Sequence, residues 1–254
     1  MTRLLLILTL LLTPFFAAAE EEIVLGLSQD KVAITAQFDG SDILIFGAVK
    51  REVAIPDNDL DVIIAIEGPT GPMVVRRKEK KFGIWINGAA LEVDKAPAFY
   101  AVASSAPLAD ILRRIENERY LITVDKAIQS VSATVQFGNT QAFTEALMRI
   151  QANNGSYQLL EEAVEVDQQT LFRSSISLPS NLTEGDYNAR IFLVRNGHVV
   201  ADLETVIDVR KVGLERFLYN LAQEQAPIYG LLSILMAIAA GWGASALFRL
   251  IRDG

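Results

Sequence analysis

DYNARIFLVRNGHVVADLETVIDVR, residues 186–210, carries strand patterning on both sides of Asn196-Gly197, with apolar and polar side chains largely alternating outside the apolar runs Ile191–Val194 and Val199–Ala201. Such a period of two lets one face of a strand enter a core while the other meets water. Asn-Gly suits a two-residue turn in which both central residues need positive φ. The stretch therefore predicts a β-hairpin, 186–195 against 198–210, and the same period recurs upstream. EIVLGLS (22–28), KVAITAQF (31–38), DILIFGAV (42–49), LDVIIAIEG (60–68), MVVRRK (73–78) and FGIWING (82–88) are short runs rich in Val, Ile and Phe. Turn chemistry separates several of them, at Gln29-Asp30, Asp39-Gly40-Ser41 and Pro69-Thr70-Gly71-Pro72.

AFYAVASS (98–105) adds a seventh strand, and Leu108, Ile111, Leu112 and Ile115 fall at helical spacing within 106–120. Further on, 130–137 reads as extended and TQAFTEALMRIQANNG (140–155) as a helix capped by Thr140 and stopped at Asn154-Gly155. SYQLLEEAVEVD (156–167) fits either state, and TLFRSSISLP (170–179) returns to the strand period. Thr183-Glu184-Gly185-Asp186-Tyr187 is similar to the turn-plus-tyrosine entry of many immunoglobulin-like and fibronectin-like modules. The expected fold class is mainly β: immunoglobulin-like antiparallel β-sandwich lobes with a few helices, one lobe over 20–122 and a second, with a helical insertion, over 123–211. Strand alternation sets Trp85 opposite Ile84 and Ile86, and a large aromatic there is expected to point inward.

The two ends of the chain give an address. MTRLLLILTLLLTPFFAAAE combines Arg3, an apolar stretch and an A-x-A site, the pattern of a signal peptide over 1–19. Ile228 to Phe248 carries no charge over 21 residues, and a helix of that length spans roughly 30 Å, the thickness of a bilayer's hydrocarbon core. Residues 227–248 are thus expected to form a transmembrane helix, with Tyr229 and Trp242 as interfacial anchors. Arg249 and Arg252 place the tail, 249–254, in the cytoplasm by the positive-inside bias. Ahead of the span, Leu214, Phe217, Leu218 and Leu221 line one side of an amphipathic juxtamembrane helix over 212–226. The localisation that follows is a bacterial inner membrane, crossed once, with the N-terminal domain in the periplasm.

Composition narrows the chemistry. Residues 20–248 hold 20 Lys and Arg against 30 Asp and Glu, a balance that disfavours nucleic acid as a partner. The absence of cysteine rules out disulfides, iron–sulfur clusters and zinc–thiolate sites. His198 is the sole histidine and follows a turn, and there is no cysteine, so Cys-His schemes are excluded and a Ser-His-Asp scheme is hard to build, resting on a pairing of His198 with a serine that no motif places. Asp57, Asp59 and Asp61 alternate like the start of a calcium loop, but Val62 and Gly68 occupy the positions that need glycine and glutamate. No catalytic residue, cofactor or metal is expected, and a hydrolase working through Asp57 or Asp61 is the weakest of the readings considered.

Two residue sets stand out as contact surfaces. Arg76, Arg77, Lys78, Lys80 and Lys81 put five cations into six residues of an acidic chain, a candidate contact for anionic lipid or an acidic partner. Ala237, Gly241 and Ser245 recur every four residues, a line of small side chains that lets a second helix approach within lipid. The partners implied are the bilayer and another integral membrane protein, or a second copy of the chain through the span.

VRRKEKKFGIWING (75–88), AFYAVASSAPL (98–108) and the closing VGLERFLYNLAQEQAPIYGLLSILMAIAAGWGASALFRLIRD resemble, in order, the alphaproteobacterial putative transmembrane protein family (Alph_Pro_TM). The resemblance implies an inner-membrane location in a Gram-negative bacterium and carries over no catalytic residues. The function expected is that of a non-enzymatic accessory or interaction subunit of a membrane complex, the alternative being a tethered ligand-binding or chaperone module.

Overall fold

The computed structural model describes residues 21–35, 38–52, 54–128, 140–213 and 221–252. In chain order the strands are β1 (Glu22–Leu27), β2 (Lys31–Ile34), β3 (Ser41–Lys50), β4 (Asp61–Glu67), β5 (Thr70–Lys81), β6 (Ile84–Pro97) and β7 (Tyr100–Ser104). After the short helices α1 (Leu108–Ile111), α2 (Arg114–Tyr120) and α3 (Val124–Ala127) and the longer α4 (Thr140–Asn153), β8 (Tyr157–Leu160), β9 (Glu165–Asp167), β10 (Leu171–Leu178), β11 (Gly185–Arg195) and β12 (His198–Lys211) follow. A final helix, α5, runs over Ala226–Arg252. The expected signal peptide, the extended stretch at 130–137 and residues 214–220 of the expected amphipathic helix lie outside the described residues.

Three layers explain the burial pattern. A four-stranded sheet, β1-β3-β10-β9, packs by one face against a six-stranded sheet, β2-β12-β11-β4-β7-β8. On β10 the alternation is complete: Phe172, Ser174, Ile176 and Leu178 turn inward, and the residues between them face out. β4 behaves differently, because its sheet is covered on both faces. Val62, Ile64 and Ile66 join Ile43, Ile45, Phe172 and Ile176 in one core, while Ile63 and Ala65 join Leu108, Ile111, Ile122, Phe143 and Leu147 in another. A strand with two buried faces needs a continuous apolar run, which is why LDVIIAIEG lacks polar alternation. β11 divides its side chains likewise, with Ile191 and Leu193 toward the first core and Phe192 and Val194 toward the second.

Mainly β architecture is thus observed, and three details depart from expectation. β2 pairs parallel with β12, and β7 pairs parallel with β8, so the six-stranded sheet is mixed and not antiparallel throughout. Strands of 20–122 and of 123–211 share both sheets: β4 lies between β11 and β7, and β10 pairs with β3. The boundary expected at 122/123 therefore cuts through both sheets and does not separate one lobe from another. The helix expected over 106–120 is interrupted, with Leu112 and Arg113 extended. Arg113 N–H instead donates to Gly197 O at 3.2 Å, docking the helical layer on the Asn196-Gly197 turn. That turn has the two positive φ values, 50° and 79°, that its sequence calls for.

Tyr187 ties the sandwich at the start of β11. Its ring is buried against Phe99, and its hydroxyl donates to Thr183 O at 2.8 Å. This is the corner that the Thr183–Tyr187 segment led one to expect. Burial outweighs the hydrogen bond to Thr183 and pushes the phenol up to about 12.

Candidate functional site

β5 and β6 belong to neither sheet of the sandwich; they pair only with each other. Near its base the hairpin is anchored, since Val75, Leu91, Val93 and Ala96 are buried in the second core and Gln151 Nε2 of α4 meets Met73 Sδ at 3.6 Å. Beyond the Val75–Leu91 pair no layer covers it. Six residues, Arg76 to Lys81, then carry each arm outward by roughly 20 Å at the usual strand rise.

The sequence-predicted cations all lie on this free arm. Arg76, Arg77, Lys78, Lys80 and Lys81 stand on the distal half of β5, all five exposed. Glu79 offers Arg77 an oxygen at 3.3 Å and Lys81 one at 3.9 Å, while Arg76, Lys78 and Lys80 form no ion pair among the described residues. The pairing register sets Lys80 beside Trp85, Lys81 beside Ile84, Glu79 beside Ile86 and Lys78 beside Asn87.

Trp85 corrects an expectation. It is 67% exposed and not inward. Alternation assigns a side chain to a face, but a face is a core only where another layer covers it, and at the Lys80–Trp85 pair none does. Residues 82–88 are likewise not one strand: Phe82 and Gly83 form the turn, at φ 52° and 86°. The missed signal was Gly83 itself, a turn residue midway between two runs of similar length.

Other polar clusters have identifiable structural work. Glu21 is buried between Arg51 and Arg195, with Oε1 at 2.7 Å from Arg51 Nε and 3.0 Å from Arg195 Nη2. The same arginines reach Gln169 O and Asn58 O. Burial alone would raise the Glu21 carboxyl, but the two guanidinium groups together hold it below its ordinary value. Arg190 donates to Tyr120 O at 2.7 Å and Leu121 O at 3.1 Å, closing the C-terminal end of α2 where Leu121 turns left-handed, and to Tyr100 Oη at 3.0 Å. Burial pushes Tyr100 up to about 12, and it raises Glu67 against the opposing pull of Arg190.

His198 Nδ1 lies 3.3 Å from Glu116 Oε1, and its Nε2 faces Arg113, at the surface where α2 meets the β11–β12 turn. Asp57 and Asp59 are exposed, and Asp61 accepts from Ser105 Oγ at 2.8 Å. An apolar cavity of about 290 Å³ lies between the helices and the edge strand β8, lined by Val102, Leu108, Val124, Met148, Tyr157 and Leu159 among others.

The small residues Ala237, Gly241 and Ser245 lie along α5, which is exposed from Leu231 to Ser245, and a Cβ added to Gly241 would meet open space. Among the described residues one helix is long and apolar enough to cross a membrane: Ala226–Ser245, with a mean hydropathy of 1.6 and none of its most apolar stretch buried. The family model described as "Putative transmembrane protein (Alph_Pro_TM)" matches residues 22–250, from the first strand through that helix. The chain belongs to this family. A match of this extent joins the β body and the apolar helix of Alph_Pro_TM in one unit. No curated protein matches the chain in sequence.

Proposed function

We propose that this Alph_Pro_TM member is a single-pass inner-membrane protein, with its β body in the periplasm and its C-terminus in the cytoplasm. In this reading it works as a non-enzymatic accessory or interaction subunit of a membrane complex. The observation that carries the reading is the wholly unburied apolar helix Ala226–Ser245 beside a body that fills its own cores. One span cannot line a transport path, so its contribution is attachment and contact, through the small-residue line Ala237, Gly241 and Ser245.

The body suits contact. Its strand order, β1-β3-β10-β9 facing β12-β11-β4, follows the ABED and GFC order of an immunoglobulin-like sandwich, and the Tyr187 corner supports the comparison. Non-enzymatic work is supported by the occupations of the titratable groups: Glu21, Arg51, Arg195 and Arg190 are engaged in holding the fold. The cavity beside β8 favours a second reading, a tethered module for an apolar ligand.

A periplasm-active reporter fused after Arg210 should be active and one after Gly254 inactive; the opposite pattern would overturn the topology. With topology secured, Ala237→Leu and Gly241→Leu together keep the helix apolar while filling its small face. Loss of self-association, or of a co-purifying membrane protein, is the expected result. Unchanged association would reduce α5 to a tether.

A further inference from the structure

The distal end of the β5–β6 hairpin combines two features that the fold itself does not need. Phe82 is fully exposed at a left-handed position that favours Asn or Gly, and Ile84 and Trp85 follow at 65% and 67% exposure. Neither core draws a residue from 76–90, apart from Ala89 packed at the margin of the second. An apolar tip kept in water at a strained turn is therefore explained by something outside the body.

The arrangement of charge says what kind of thing. Residues that pair across antiparallel strands project from the same face. Lys78 and Lys80 thus stand on one face with Trp85 and Asn87, and Lys81 on the other with Glu79, Ile84 and Ile86, so the cations outnumber the one acid among them. Cations flank the apolar tip on both sides. A protein partner docking on a hairpin meets one face and selects a one-sided patch. A two-sided collar behind a convex apolar tip matches end-on contact with a flat anionic medium that yields to the tip. At a bilayer surface, aromatic rings settle at headgroup depth, and lysine and arginine stems lie along apolar groups while their heads reach phosphates.

We infer that the tip docks end-on against an anionic phospholipid surface, with Phe82, Ile84 and Trp85 at the headgroup–acyl boundary. Lys78, Lys80 and Lys81 then reach toward the lipid phosphates, while Arg76 and Arg77 stand farther back along the arm. The inference rests on the proposed function in one respect, that α5 keeps the body beside a bilayer. The acidic remainder of the chain is repelled by the same surface, so contact is confined to the hairpin.

The chain has two tryptophans, so the full chain carrying Trp242→Phe reports on Trp85 alone. It is reconstituted into vesicles of phosphatidylcholine, or of phosphatidylcholine with about a third phosphatidylglycerol, the anionic fraction being chosen for a strong surface potential. In the anionic vesicles Trp85 should emit at shorter wavelength, be quenched by bromine on the lipid chains and be shielded from acrylamide. All three should fade in neutral vesicles and in high salt. Replacing Lys78, Lys80 and Lys81 by Gln should weaken the contact by roughly fivefold per cation, and Phe82→Asn should reduce the bromine quenching.

Equal acrylamide access to Trp85 in anionic and neutral vesicles would overturn the inference. So would shielding in native membranes but not in anionic lipid alone, which would assign the tip to a protein partner. The reporter fusions test α5 separately, so a correctly inserted chain with a water-exposed Trp85 overturns the docking and leaves the topology standing.

Discussion

Glu21 shows how much one side chain can hold. It begins the described chain, and its carboxylate joins Arg51 and Arg195, which lie 30 and 174 residues away. Each of the three side chains is less than a tenth exposed. Removing one member of a buried ion pair leaves the remaining charge desolvated and costs about 3–5 kcal/mol, so Glu21→Gln should lower the urea midpoint sharply. Because the folded carboxyl titrates below its unfolded value, the stabilisation is complete above the ordinary carboxylate range. It is lost as pH falls through the lowered folded value. Wild type should therefore lose stability on acidification more steeply than Glu21→Gln, and parallel pH profiles would refute this account. The sequence could not reveal the cluster, because no local spacing links residues so far apart. The Tyr187 corner was legible because its partner, Thr183, is only four residues away.

At the scale of elements, period and turn chemistry located nearly every described strand, and Asn196-Gly197 identified its hairpin outright. What they could not give was the extent of cover. β5 and β10 both read as strands, yet one is half in water and the other is a core strand, since burial depends on which layer lies opposite. The cation run was visible in the sequence, but the apolar tip was not, as Phe82 looked like the start of a strand. Phe82 offers a test of strain at this scale. A bulky residue at φ 52° costs about 1 kcal/mol or more relative to Asn. The distal arms contribute to no core and can open without the body. Phe82→Asn should therefore slow hydrogen exchange at the paired amides near Lys81 and Ile84 by roughly fivefold, the factor matching about 1 kcal/mol, with little change in global midpoint. Faster exchange would mean that the phenyl ring stabilises the turn through contacts of its own.

The whole molecule divides by solvent more clearly than by sequence. Every buried core residue among the described ones lies at or before Val209, while the apolar stretch of α5 has no buried residue. Two populations of apolar side chain are thus present, one that folds the body and one left unburied along a helix long and apolar enough to cross a membrane. The span could be read from composition alone, because a bilayer demands only length and apolarity. The interleaving of 20–122 with 123–211 could not, since strand partners such as β3 and β10 are separated by more than a hundred residues and nothing local records their pairing. If the body owes nothing to α5, a chain ending at Val212 and beginning at Glu20 should fold in aqueous buffer as a monomer. Its unfolding free energy should match that of the full chain in mild detergent to within about 0.5 kcal/mol, the scatter typical of changes remote from any buried feature. Circular dichroism would report the same strand content with the helical signal reduced. A truncated chain that aggregates or unfolds several kcal/mol more easily would show that residues beyond 212 pack back on the sandwich, and the exposed outer-face residues Val24, Leu44, Phe46 and Leu171 would be the first place to seek that contact.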